Sequence, residues 1–368
     1  MSRDRDFTFG EGIEYVLDNI RFPDNTRATF TEDAQTLQNT FVNAISSYDP
    51  MFRTAFQGLS LGGSYLDGIK IDLPEEFDMH VKIELPCILR PVSVPDRPGF
   101  IFLSASNGDS PCVKRFDNEG YFISRFAVQN WFRNSITAVM PQLQKIRCNE
   151  GRVYSMTYTA HGTGVAHTLM ATERRDRKRK IWFDFVPVFE FEPHQWPRDL
   201  RRPTNDGRNW FAVPRKYFDK PETQDPRSFI LCAPHWERLV LHKKQNLKDS
   251  LRLMKSLRNA NEMGGLVSYF LKSIYLHEVA NKKTNWNQSP GRILIRMLIN
   301  LLHAVRLNNL PFYLAPDHNN LDSLSAECRR EYVRILNKNV DKLIRRRNAN
   351  YLTKDDIYNI FGVKVDNL

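Results

Sequence analysis

At 368 residues, with 41% apolar and 12% aromatic side chains, the chain holds enough apolar material to fold as two lobes, joined in one unit or as separate domains, and its composition excludes a disordered protein. Lysine and arginine outnumber aspartate and glutamate by 53 to 42, a net charge of +11 that favours a polyanionic partner such as nucleic acid or a phosphate-rich substrate. A membrane partner is not expected: the most apolar run, Ile293–Val305, is broken by Arg296 and too short to span a bilayer, and the N-terminus lacks the apolar core of a signal peptide.

In chain order, Thr31 followed by Glu32 and Asp33 reads as a helix start, with Ala34, Leu37, Phe41 and Ile45 at helical spacing through to about Tyr48. This long helix leads into Gly62-Gly63-Ser64, whose bare backbone N–H groups and hydroxyl suit a phosphate. A strand follows in which Phe77, Met79, Val81 and Ile83 face one way and Glu76, Asp78, His80, Lys82 and Glu84 the other. Glu76 and Asp78 thus project side by side, ~7 Å apart along the strand, and repel one another unless a hard divalent cation sits between them. A solvated edge without chemistry is the competing reading. A phosphate grip followed at this distance by a carboxylate pair favours nucleotidyl transfer.

Pro86–Gly99 reads as a proline-rich connector, and residues 122–145 as a helix. The run Thr172–Lys180 (TERRDRKRK) is a solvated loop or a phosphate contact. Ile181–Phe191 is apolar enough for a strand covered on both faces, yet holds Asp184 at its centre. A carboxylate there costs several kcal/mol unless it is paired, metal-bound or neutral, so Asp184 is expected to join Glu76 and Asp78 as a third ligand.

From about Asp219 the pattern turns helical. Leu247, Leu251 and Met254 mark the buried side of one helix, while Lys244, Lys248, Arg252 and Lys255 fall within about 80° of each other at ~100° per residue. That stripe reads as a solubilising face or as a rail between a triphosphate and a polyanion. Ser289-Pro290 opens a helix reaching about Val305, and residues 324–347 form another that ends in Arg345-Arg346-Arg347. That triplet suits either the helix dipole or a nucleic-acid contact. The five scattered cysteines (Cys87, Cys112, Cys148, Cys232 and Cys328) form no CxxC pair, which argues for reduced thiols in the cytosol or nucleus and against a zinc ribbon.

Gly63-Ser64, the Glu76-Phe77-Asp78 triplet, Asp184 in its apolar strand, RSFILCAPHWERLVL, LRLMKSL and VSYFLKSIYLHEV together resemble the cyclic GMP–AMP synthase (cGAS) and cGAS-like receptor family of nucleotidyltransferases. The resemblance runs from about residue 35 to 345. It implies an α+β, bilobal nucleotidyltransferase fold, with a mixed β-sheet N-lobe and long spine helix in residues 1–218 and a helical C-lobe in residues 219–368. It implies that Glu76, Asp78 and Asp184 hold two Mg²⁺ or Mn²⁺ ions, and that Ser64 and the Gly63 amide hold the donor triphosphate. Lys255 and Lys272 would neutralise its charge, Tyr269 would stack on a base beside Ser268, and Glu237 and Arg215 would meet the other nucleotide.

Family members join ATP and GTP into a cyclic dinucleotide second messenger of innate immunity when nucleic acid binds. His242-Lys243-Lys244 occupies the place where a zinc-binding His-Cys-Cys-Cys insertion is found in the mammalian DNA sensor, so no zinc is expected. Double-stranded RNA is the expected activator ahead of DNA, with Arg21, Arg27, Arg53, Lys243, Lys244 and Lys248 as its contacts, with assembly as a dimer on nucleic acid allowed for, and with a cytoplasmic location. Cys232, Pro234 and Ile230 depart from the family's base-pocket residues, so base order and linkage are not implied. The rival readings are a catalytically silent interaction protein of the same fold and a template-free synthase of linear oligonucleotides.

Overall fold

The computed structural model describes residues 7–21, 24–71, 75–106, 111–118, 121–159, 165–200, 202, 207–216 and 225–365, and of residues 24–27, 64, 65, 111, 112 and 118 the backbone alone. Two compact units form. One comprises Pro23–Leu66 and Leu73–Trp236; the other comprises Met1–Phe22, Asp67–Asp72 and Glu237–Leu368. The boundary expected at 218/219 is a single cut, whereas these units interleave, because residues 9–20 and 69–71 contribute to the helical core.

The first unit is built on a mixed sheet of 12 strands among the described residues. At its centre the strand Glu76–Ile83 runs parallel to Lys180–Phe191 and antiparallel to Phe56–Leu61. Lys180–Phe191 also pairs antiparallel with His167–Glu173 along its first half and with Trp210–Pro214 at its last three residues. The helix Asp24–Tyr48 packs on the sheet unit through Phe30, Ala34, Leu37, Phe41 and Ile45, with Phe41 stacked on Phe185 at 4.4 Å.

That helix begins before Thr31, so Asp33 is no first-turn acid. It lies fully buried, where Arg152 (2.7 Å), Arg179 (2.8 Å) and the Tyr154 hydroxyl (2.7 Å) meet its Oδ2. Arg179 is therefore a structural cation of the TERRDRKRK run, while Arg174–Lys178 are exposed in the turn. The next expected helix is also shorter than its pattern: Ser124 caps Arg125–Val139, and a 3-10 turn continues to Gln144.

The second unit is helical. Thr8 and Glu11 cap Phe9–Ile20 reciprocally, and Phe9, Ile13, Val16, Leu17 and Ile20 join a core with the helices Gln245–Ala260, Ser268–Asn281, Pro290–Leu307, Ala326–Ala349 and Lys354–Phe361. Gly291 lets Phe9 approach, since a Cβ there would stand 2.8 Å from the Phe9 ring. No described helix is long and apolar enough to cross a membrane.

Candidate active site

The strand Glu76–Ile83 alternates as its sequence demands, with Phe77, Met79, Val81 and Ile83 buried and Asp78, His80 and Lys82 half-buried on the other face. Parallel pairing sets Asp184 directly beside Asp78. One carboxylate oxygen each from Glu76, Asp78 and Asp184 lies within 4.8 Å of the others. Glu76 is exposed, and Asp78 and Asp184 are half-buried.

Lys180–Phe191 is not covered on both faces along its first half: Ile181, Phe183 and Phe185 are buried, while Trp182, Asp184 and Val186 are half-exposed. Asp184 thus keeps access to water, and the cost of burying its charge falls away. Its placement comes from register instead. Thr168 stands opposite it in the antiparallel pair, and the Thr168 hydroxyl donates to Asp184 Oδ1 at 2.5 Å. The sequence reading missed this support. Nothing in the local pattern marks it, because the residue facing Asp184 is set by the pairing register of His167–Glu173 with Lys180–Phe191.

Gly63 packs closely against one of these acids, Asp78. It sits at φ +59°, where L side chains are strained, and a Cβ there would come 1.7 Å from Asp78 Oδ2. The preceding Gly62 donates its amide to the Asp78 carbonyl at 2.8 Å. Below it lies His80, whose ring would stand 3.3 Å from a Cβ on Gly62 and packs edge-on against Phe211. Burial, helped by nearby His235, draws the His80 pKa down to about 4, so the ring is neutral near pH 7. The turn that reads as a phosphate grip is thus shaped around a carboxylate of the cluster. The Ser64 side chain lies outside the described residues.

Three clustered carboxylates offering oxygens within 4.8 Å, two of them half-buried, fit hard divalent cations. In the same unit Arg215 follows the strand Trp210–Pro214, is half-buried, and has its pKa lowered by burial.

In the helical unit, Lys272 is buried (6% exposed), with its Nζ 2.6 Å from Asp67 Oδ2 and 2.8 Å from Glu237 Oε2. Burial lowers its pKa, but Glu237 and Asp67 outweigh that and raise it, so the ammonium stays charged. The Tyr269 hydroxyl donates to Glu237 Oε1 at 2.8 Å, and Arg258 donates to Ser268 Oγ at 3.3 Å. Expected nucleotide ligands Glu237, Tyr269 and Lys272 are therefore one connected group. Asp67, which no local pattern announces, belongs to it, and its Oδ1 is buried with no hydrogen-bond partner among the described residues.

The cations of the helix Gln245–Ala260 do not make an open rail. Lys255 is buried and donates to the Ile69 carbonyl at 3.1 Å, while Arg252 is tied to Asp249 and to the Gly68 carbonyl. Lys244 precedes the helix, and its Nζ turns back to the Val240 carbonyl at 2.9 Å. Angular spacing takes no account of long side chains folding onto nearby carbonyls. Burial lowers the pKa of both Lys244 and Lys248.

Of the other expected activator contacts, Arg21 pairs with Asp249 at 2.9 Å, Arg53 and Lys243 are exposed, and the Arg27 side chain lies outside the described residues. Arg346 pairs with Asp356 at 2.6 Å and stacks on Tyr351, so one member of the terminal arginine triplet is structural.

The Mab-21 protein nucleotidyltransferase domain matches residues 65–247, and the Mab-21 protein HhH/H2TH-like domain matches residues 246–342. The chain is 50% identical over 360 residues to a cyclic GMP-AMP synthase-like receptor of Drosophila eugracilis, covering 97% of this chain and 96% of that one. It is 38% identical over 340 residues to a cyclic GMP-AMP synthase-like protein of Drosophila melanogaster, covering 91% and 92%. A cyclic GMP-AMP synthase-like receptor of Aethina tumida is 26% identical over 306 residues, covering 78% and 76%.

Proposed function

Since the chain belongs to the cyclic GMP-AMP synthase-like receptor family, with its Mab-21 nucleotidyltransferase domain, we propose that this nucleotidyltransferase makes a cyclic GMP–AMP-type dinucleotide from ATP and GTP in innate immune signalling, switched on by double-stranded RNA. The observation that carries the chemistry is the meeting of Glu76, Asp78 and Asp184 beside Gly63. These carboxylates would hold two Mg²⁺ or Mn²⁺ ions, which when bound lower the pKa of a ribose hydroxyl and offset charge on the departing pyrophosphate.

The chain's own residues have separate tasks. The Gly63 amide and Ser64 hold the donor triphosphate, and Lys255 and Lys272 neutralise its charge. Tyr269 stacks on a base beside Ser268, and Glu237 and Arg215 hold the acceptor nucleotide. Asp184 orients the acceptor hydroxyl, and Thr168 keeps Asp184 in one rotamer by occupying its Oδ1. In each of two steps a hydroxyl oxygen bonds to an α-phosphorus, the bond from that phosphorus to pyrophosphate breaks, and the hydroxyl proton leaves to water.

Duplex RNA is bound through backbone and shape, so cations dominate its contacts and activation falls as salt rises. The candidates with described side chains are Arg21, Arg53, Lys243, Lys244 and Lys248, and the net charge of +11 supports a polyanionic activator. The test is incubation of the full chain with ATP, GTP and Mg²⁺, with duplex RNA, duplex DNA or neither, followed by ion-exchange chromatography and phosphatase treatment. A phosphatase-resistant product formed only with RNA is expected. Its absence with every polyanion would assign the chain to binding alone, a phosphatase-sensitive ladder to linear synthesis, and activation by DNA alone would overturn the RNA assignment.

A further inference from the structure

The terminal arginine triplet is only partly absorbed by the fold, and the remainder leads to a second site. Within the helical unit, the helix Pro290–Leu307 and the end of Ala326–Ala349 border a cavity of about 620 Å³ lined by Gln288, Arg292, Arg296, Asn300, Arg347 and Asn348, with Ile295 and Ile299 among its apolar wall. Arg292 and Arg296 lie one turn apart on the same helix face, where like charges repel. Arg347 adds a third guanidinium from the other helix. Glu278 accepts Arg296 at 3.1 Å, but also accepts Thr284 Oγ1 and, at 3.4 Å, Asn300 Nδ2. None of the described ion pairs gives Arg292 or Arg347 a carboxylate; Arg347 donates to the Asn348 side-chain oxygen at 3.0 Å. Convergent cations with one shared counter-charge lower the free energy of an entering anion.

Guanidinium forks match phosphate oxygens two at a time, and neutral amides beside them complete the hydrogen bonding without adding repulsion. The volume is that of a small-molecule site, and the three cations line one open pocket from two helices, with Arg292 and Arg296 exposed, rather than following one helix in the row that a duplex backbone requires. From this we infer that the Arg292–Arg296–Arg347 cavity binds a small ligand carrying two or more phosphate groups, at a site separate from the carboxylate cluster.

The test uses full-length protein and inorganic tripolyphosphate in EDTA, which removes metal-dependent binding at the carboxylates, read by isothermal titration calorimetry. Saturable binding is expected, weakened at least tenfold in R292Q/R347Q and only several-fold in R292K/R347K, which keeps the charge and loses the fork. A melting curve of each variant establishes that it folds, and the lysine pair serves if the glutamine pair does not. No saturable binding by the wild type, or equal affinity in the variants, overturns the inference. A variant that loses tenfold in affinity for duplex RNA while tripolyphosphate binding is unchanged also overturns it, by assigning the cavity to nucleic acid.

Discussion

In the sheet unit three carboxylates converge on one half-exposed sheet face, whereas in the helical unit Lys272 is buried between two carboxylates of its own. Like charges brought together raise the energy of the fold and lower it again only when a cation arrives. Opposite charges brought together hold the fold and pre-set a charged ammonium whether or not a ligand is present. Replacing a member of the first group should remove chemistry and spare the fold, whereas replacing Lys272 should also cost the fold stability.

The largest effect is expected at Asp184. D184N should lower the rate of dinucleotide formation by about 10³-fold or more, roughly 4 kcal/mol of barrier, with the urea midpoint unchanged or raised. A lowered midpoint would mean that the carboxylate is structural. K272M should differ by lowering stability as well as activity, destabilising the helical unit by about 3–5 kcal/mol because Asp67 and Glu237 are left buried without their partner. Urea unfolding reads this directly, and an unchanged midpoint would break the contrast.

Histidine 167 gives the sheet unit a pH limit. Buried between Gln129 and Tyr158, it has its pKa drawn down to about 4 by burial, with Arg133 adding to the shift. The fold therefore favours the neutral ring. Its contribution is complete above the unfolded value of about 6.5 and is lost as pH falls towards 4, by about 3 kcal/mol in all. Urea midpoints at pH 7 and 4.5 should differ more for the wild type than for H167Q; parallel losses would remove His167 as the cause.

G63A should lower activity about 10²-fold, because a Cβ 1.7 Å from Asp78 Oδ2 must displace either the turn or the carboxylate. Wild-type activity in G63A would show that the close approach is dispensable. Smallest is T168V, expected to cost about tenfold in kcat with KM little changed, and to be rescued by T168S, which keeps the hydroxyl. Equal losses in both would make Thr168 a packing residue only.

How legible this was depended on the backbone. A strand in a sheet has two faces, so alternation alone placed Glu76 and Asp78 on the outer one, and Phe77 and Met79 in the core. Helical periodicity likewise placed Leu37, Phe41, Leu251 and Met254 inside. It failed for the cations of Gln245–Ala260, because a long side chain leaves the face its Cα occupies and folds onto carbonyls such as those of Gly68, Ile69 and Val240. Asp33 was misread because Thr31 resembles a cap, although the helix is already under way there. Thr168 and Asp67 were invisible for a different reason: each acts across strand or helix pairings that composition does not encode.

The central claim is that Glu76, Asp78 and Asp184 act together as a cation site for nucleotidyl transfer. Manganese binding, followed by electron paramagnetic resonance in the presence of a non-hydrolysable ATP analogue, tests it most directly. Wild-type protein should take up Mn²⁺ saturably, and E76Q, D78N and D184N should each weaken that uptake at least tenfold while remaining folded. Uptake by D184N equal to the wild type would contradict the account, since the strand pairing that sets Asp184 beside Asp78 would then serve no shared ion.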